Sequence, residues 1–142
     1  MANGQDTIVA RLKLLNGYVS DLRSLQDVDA QTYSENLLIR RTVERTLQLG
    51  VQASLDIGQH IIAQEGFRTP DDNKDVFVVL SEENVIPAEL LPDLIRMARF
   101  RNLIVHDYAR IDNLIVHSIL RHRLGDFDRY AQAIVHYLET RP

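Results

Sequence analysis

The chain has 142 residues, 4 prolines, 6 glycines and no cysteine, which suits one domain over 1–142 and excludes disulfide frameworks, thiolate metal sites and cysteine nucleophiles. Its apolar fraction of 45% and charged fraction of 25% are ordinary for a globular protein, and no apolar run approaches the ~18 residues of a membrane helix. The net charge of −4 argues against a general nucleic-acid coat protein.

The opening Met1-Ala2-Asn3-Gly4-Gln5-Asp6 lacks the basic and apolar regions of a signal peptide, so a cytoplasmic location is expected. Ile8, Leu12, Leu15, Val19 and Leu22 recur at spacings of four and three, predicting a helix over about residues 6–26 that ends at Asp27-Val28-Asp29. Thr32-Tyr33-Ser34-Glu35 reads as a capping box opening the next helix. Val43, Leu47, Val51, Leu55 and Ile62 form its core stripe, and Gly66 is its expected end cap. Gly50 and Gly58 lie inside it, where they either weaken the helix or permit a close crossing.

Residues 67–74 read as a loop, with Thr69-Pro70-Asp71-Asp72-Asn73 supplying turn chemistry. The apolar run 75–80 suits a strand or a buried helix; with no second strand to pair it, a short helix is expected. Pro87 suits the first position of the next helix, which carries Leu90, Leu94 and Met97 inward. Helical patterns through 111–123 and 127–140 complete an all-α, antiparallel up-and-down bundle.

Charge is unevenly placed. Residues 96–129 hold seven arginines against four aspartates, a local +3, while the remainder sums to −7. Such a patch offers phosphates a landing surface, or is only a solvated helix face. Within it, Arg99, Arg101, Asn102, His106 and Tyr108 fall in ten residues. Cleaving RNA without a metal needs a base for the ribose 2′-OH, a cation for the phosphate and an acid for the leaving oxygen. Histidine titrates in the right range for proton transfer, and arginine matches phosphate with a permanent planar charge. Asn102 is placed to orient either one.

On a helix, Asn102 and His106 share a face, as do Arg101 and Tyr108. Arg101 and His106, however, diverge by roughly 140° at ~100° per residue. Three arrangements would bring them together: a distorted helix, a curled arginine, or two motifs facing one cleft across a two-fold axis. The last is the preferred expectation.

The segment Arg101-Asn102-Leu103-Ile104-Val105-His106-Asp107-Tyr108 carries the signature R-x4-H-x-Y without departure. With it, Glu44-Arg45-Thr46-Leu47-Gln48 and residues 56–62, the chain resembles the HepT proteins. These are HEPN-domain toxins encoded beside an MntA-type nucleotidyltransferase antitoxin. The resemblance implies a HEPN-like helical bundle that dimerises with both motifs lining a cleft. It further implies a metal-independent ribonuclease needing no cofactor, with tRNA the substrate class. Arg101 and His106 would be the catalytic pair, supported by Asn102. Tyr108 would receive AMP from the antitoxin, and the added phosphate would then block the RNA site. Arg96 and Arg99 are candidate RNA-binding residues.

Plainer readings stand beside these. Tyr108 could simply close the helix with its ring inward. Asp56 and His60, four apart, are expected to pair structurally rather than catalyse. His117 and His122 are flanked by arginines, and no metal site is expected. Arg121 and Arg123 carry no assignment. The competing function is a non-catalytic module that binds a nucleotide or a nucleotidyltransferase.

Overall fold

In the computed structural model, residues 4–141 are described, and they form seven α-helices and two short 3-10 turns. The helices are α1 (Gly4–Ser24), α2 (Ala30–Glu35), α3 (Leu37–Glu65), α4 (Asn73–Glu82), α5 (Leu91–His106), α6 (Asn113–His122) and α7 (Gly125–Thr140). The five apolar residues predicted to line α1 are all buried, against α3 and α7. Arg23 pairs with Asp128, while Leu12 and Glu139 line one groove, so α1 and α7 run antiparallel. Gly50 meets Phe127 and Glu65 pairs with Arg141, so α3 and α7 run parallel. As α5 lies antiparallel to α3 (below), α1 and α5 point one way and α3 and α7 the other. One cluster of buried side chains takes members from all seven helices.

The expected capping box does not form. Asp29, not Thr32, caps α2, accepting from Thr32 N at 2.7 Å. Thr32 therefore lies inside α2. Asn36 then interrupts the helix in an extended conformation (φ −105, ψ 100) and caps α3 by accepting from Ile39 N at 3.0 Å. A short side chain that competes for backbone donors splits the predicted helix in two.

α3 is the central element, with Val43, Leu47, Val51, Leu55 and Ile62 buried as predicted. Both internal glycines mark close crossings. A Cβ on Gly58 would lie 2.7 Å from Val76 Cγ1 and 3.0 Å from Leu80 Cδ1, and one on Gly50 would lie 3.1 Å from the Phe127 ring. Gly66 ends α3 at φ 68, the left-handed conformation expected of it.

The ambiguous run 75–80 is helical. Asp72 caps α4 at Asp75 N, and Val76, Phe77, Val79 and Leu80 are buried against α3 and α5. Pro87 precedes the 3-10 turn Ala88–Leu90 as its cap, and α5 starts later, with Pro92 in its first turn. Two prolines with free choice of a first-turn position lay five residues apart, and the second took it. Among the described residues no helix is long and apolar enough to cross a membrane.

Candidate active site

α5 carries the arginine, asparagine and histidine of the motif. Leu94, Met97, Ala98 and Ile104 hold one face of this helix in the core. The helix is continuous from Leu91 to His106, so a break in the helix within the motif, one of the three arrangements weighed, does not occur. Asp107 ends it with φ −146 and ψ 51, while its N–H still donates to Leu103 O at 2.9 Å. Tyr108 then opens a 3-10 turn, Tyr108–Arg110, and is not on the helix. Its projected alignment with Arg101 therefore does not apply.

Arg101 is half-buried and directed at α3. Its Nη2 donates to Gln52 Oε1 at 3.0 Å, and its Nη1 donates to Asn102 Oδ1 at 3.3 Å. Its Nε is buried without an acceptor among the described residues. Asn102 Oδ1 also accepts from Asn73 Nδ2 at 3.2 Å, which ties the site to the first residue of α4. Gln52 in turn donates to Asp56 Oδ1 at 2.9 Å. The guanidinium thus sits in a network of amides that fixes its plane while leaving donors uncommitted.

His106 lies elsewhere. It is exposed at the last turn of α5, with no hydrogen bond or ion pair among the described residues. Regular helical geometry separates it from Arg101 by roughly 140° about the axis. The helix alone therefore does not aim both groups at a common point, and the Arg101 guanidinium is held at Gln52 of α3.

Tyr108 is 41% exposed, and its hydroxyl donates to Glu44 Oε1 at 2.6 Å. Arg41 lies over the ring, its Cζ 5.0 Å from the centroid. The bond to Glu44, aided by partial desolvation, pushes the phenol above its ordinary pKa, so it holds its proton at neutral pH. Arg101 anchors at Gln52 and Tyr108 at Glu44, two turns or about 12 Å apart along α3. Those contacts make α5 antiparallel to α3. They also place the phenol oxygen at Glu44, about two turns of α3 from the anchor of Arg101, with Arg41 over the ring.

The local positive charge is smaller than counted. Asp93, just outside the counted window, pairs with Arg96, Arg123 and Arg129, and Asp126, 4% exposed, pairs with Arg123 and Arg129. Arg110 pairs with Asp107. Of the two candidate RNA-binding arginines, Arg96 is engaged, whereas Arg99 is exposed and has no side-chain partner among the described residues. Arg121 is likewise exposed.

His60 and His117 hold structural positions. Asp56 accepts from Gln52 rather than from His60, whose Nε2 is buried without a partner among the described residues. The expected Asp56–His60 pair is replaced because Gln52, four residues earlier on α3, reaches the carboxylate instead. His117 Nε2 lies 2.6 Å from Val28 O, with its ring 5.4 Å from that of Tyr33. Among the described residues no three potential ligands gather as a metal site would require.

Glu44, Gln52, Asn73 and Arg41 were missed as site residues. Glu44 had a signal: three residues before Leu47, it places a carboxylate on an otherwise apolar stripe. Gln52 and Asn73 had none, because their value depends on which helices meet.

A bundle with R-x4-H-x-Y at the end of a core helix defines a HEPN-type domain, and solved structures bear out the class. A toxin–antitoxin crystal structure with AMP-PNP matches at TM-score 0.86 and 25% identity, covering 92% of this chain and 98% of that one. The tri-AMPylated HEPN toxin of Shewanella oneidensis, in complex with its MNT antitoxin, matches at TM-score 0.85 and 25% identity, covering 96% and 99%. The model of the family described as ribonuclease HepT-like matches residues 15–134, and the chain belongs to that family. An mRNA nuclease HepT of Shewanella oneidensis is 26% identical over 129 residues, 91% of this chain and 96% of its own length. A tRNA nuclease HepT of Aphanizomenon flos-aquae is 28% identical over 141 residues, 99% and 96% respectively.

Proposed function

We propose that this chain is the toxin of a toxin–antitoxin pair: a ribonuclease that works as a homodimer and is silenced by AMP transfer onto Tyr108. The observation that carries the reading is the state of Arg101. An orienting amide network holds a half-buried guanidinium that keeps unused donors, in a chain of the ribonuclease HepT-like family. A cation fixed in this way suits a phosphate whose charge grows during reaction.

In the proposed reaction His106 takes the ribose 2′-OH proton, and the 2′ oxygen attacks the adjacent phosphorus. Arg101 stabilises the pentavalent phosphate, Asn102 holds Arg101 in plane, and the 5′ oxygen leaves with a proton from a second imidazole or from water. Imidazole and guanidinium supply all of this chemistry, so no metal is invoked. Because α5 aims the two groups apart, the cleft is composite, with Arg101 of one subunit facing His106 of the next across a two-fold axis. Exposed Arg99 provides a contact for the flanking RNA backbone. tRNA is the proposed substrate class, supported by the relative that matches 99% of this chain, a tRNA nuclease.

The proposed antitoxin is an MntA-type nucleotidyltransferase. The neighbouring structures of toxin with antitoxin, one of them tri-AMPylated, support that partner. Tyr108, partly exposed at the end of the motif, is the acceptor. Since this hydroxyl lies about two helical turns from Arg101's anchor, silencing follows from the bulk and charge of the nucleotide reaching across the cleft.

RNA cleavage by the purified chain in the presence of chelator tests the reading. His106→Ala should lose at least about 100-fold in rate with helicity unchanged. Cleavage that survives this substitution would reject His106 as the base.

A further inference from the structure

Glu44 is a carboxylate where the fold calls for an apolar side chain. It is 5% exposed on the inward stripe of α3. Among the described residues, the phenol of Tyr108 is its sole hydrogen-bond donor. A lone ionised carboxylate is costly to bury, so its retention calls for a reason beyond packing. Tyr108 and Tyr33 of α2 lie within its electrostatic reach, and Arg40 and Arg41 of α3 in turn act on the Tyr108 phenol. The Tyr33 hydroxyl is buried without a partner and feels the charge of Glu44.

We propose that Glu44 accepts the phenolic proton of Tyr108 when that hydroxyl attacks the α-phosphorus of a nucleoside triphosphate, so that the toxin carries the base for its own modification. The inference rests on the reading of Tyr108 as the acceptor. A bond forms between Tyr108 Oη and the α-phosphorus, and the bond from that phosphorus to the α–β bridging oxygen breaks. Pyrophosphate leaves with the electron pair, and the proton passes along the 2.6 Å hydrogen bond to Glu44 Oε1. The modifying enzyme brings the triphosphate and its magnesium; the base is already in place.

Three features fit this role. A phenol that keeps its proton at neutral pH is a poor nucleophile without a base, and here one is in contact. The carboxylate lies 2.6 Å from the hydroxyl, within proton-transfer reach, and no other hydrogen-bond donor competes for it among the described residues. Arg41, over the ring, is placed to neutralise the single charge of the new phosphodiester. A purely structural Glu44 would need only to accept a hydrogen bond, and this distinction can be tested.

Glu44→Gln keeps an acceptor of the same shape but cannot take the proton. The chain is incubated with an MntA-type nucleotidyltransferase, the proposed antitoxin, and magnesium ATP, and AMP addition is followed by intact mass. Tyr108→Phe should gain no AMP. Glu44→Gln should be modified at least about 100-fold more slowly at pH 7, with a rate rising about tenfold per pH unit as hydroxide replaces the missing base. Glu44→Ala should be similarly slow, and added formate should restore much of the rate, an effect that lost packing cannot mimic; this variant decides the matter should the glutamine variant not fold. Transfer to Glu44→Gln at the wild-type rate would overturn the proposal and assign the base to the incoming enzyme, while Tyr108 remained the acceptor. AMP on Tyr108→Phe would instead remove the reading on which it rests.

Discussion

At the scale of single residues, the molecule holds its charged groups in two distinct ways. Arg101 is oriented by neutral amides, which fix a guanidinium without cancelling its charge. Arg68 is instead spent on carboxylates, donating from Nη1 to Asp75 at 2.7 Å and from Nε to Glu82 at 2.9 Å. The Arg68 hydrogen bonds, then the Asp71 backbone N–H, hold the Asp75 carboxyl down to about 2, below the ordinary 3.8. A carboxyl depressed in the folded state contributes stability above its unfolded pKa and loses it as pH falls through the folded value. Asp75→Asn should therefore unfold at lower temperature than the parent at pH 7, with the gap closing as pH falls from about 4 to about 2. A gap that stays constant over that interval would assign Asp75 a role in packing rather than charge.

Elements are set by side chains that compete with or complete the helix. The stripes of α1 and α3, the glycine cap at Gly66 and the helical character of 75–80 were legible, because periodicity and end chemistry act locally. Thr32 and Pro87 misled for a shared reason: each is a valid start signal with a better one nearby, Asp29 and Pro92. Gly50 and Gly58 were legible only as a choice between weakness and close approach, and tertiary contacts decide it. Gly58→Ala gains about 1 kcal/mol of helix propensity, but its methyl meets Val76 Cγ1 at 2.7 Å. Overpacking costs about 1–3 kcal/mol, so a net loss of about 1 kcal/mol is expected. Gly17 has nothing within 4 Å of its would-be Cβ, and Gly17→Ala should raise stability by up to about 1 kcal/mol. Thermal unfolding of both variants checks the pair, and a Gly58→Ala protein as stable as Gly17→Ala would contradict the close crossing.

For the whole molecule, the motif residues were readable from the chain, but their arrangement was not. Arg101, Asn102, His106 and Tyr108 stand out as residue types at set spacings. Where Tyr108 points depends on Asp107 leaving the helix, and the partners Glu44 and Gln52 come from a helix about fifty residues earlier. The arginine surplus of 96–129 also shrinks, because Asp93, from outside that stretch, is folded among three of those arginines. What survives as available cation is Arg101 in its amide cradle, with Arg99 and Arg121 at the surface.

The central claim is that a guanidinium from one subunit and an imidazole from another act on one phosphodiester. Mixing Arg101→Ala with His106→Ala subunits tests it most directly, with RNA cleavage measured after subunit exchange. Each variant alone should be inactive. The mixture should recover up to about a quarter of wild-type activity, since half the dimers are mixed and each of those has one intact composite site. A mixture no more active than its parents would contradict the claim.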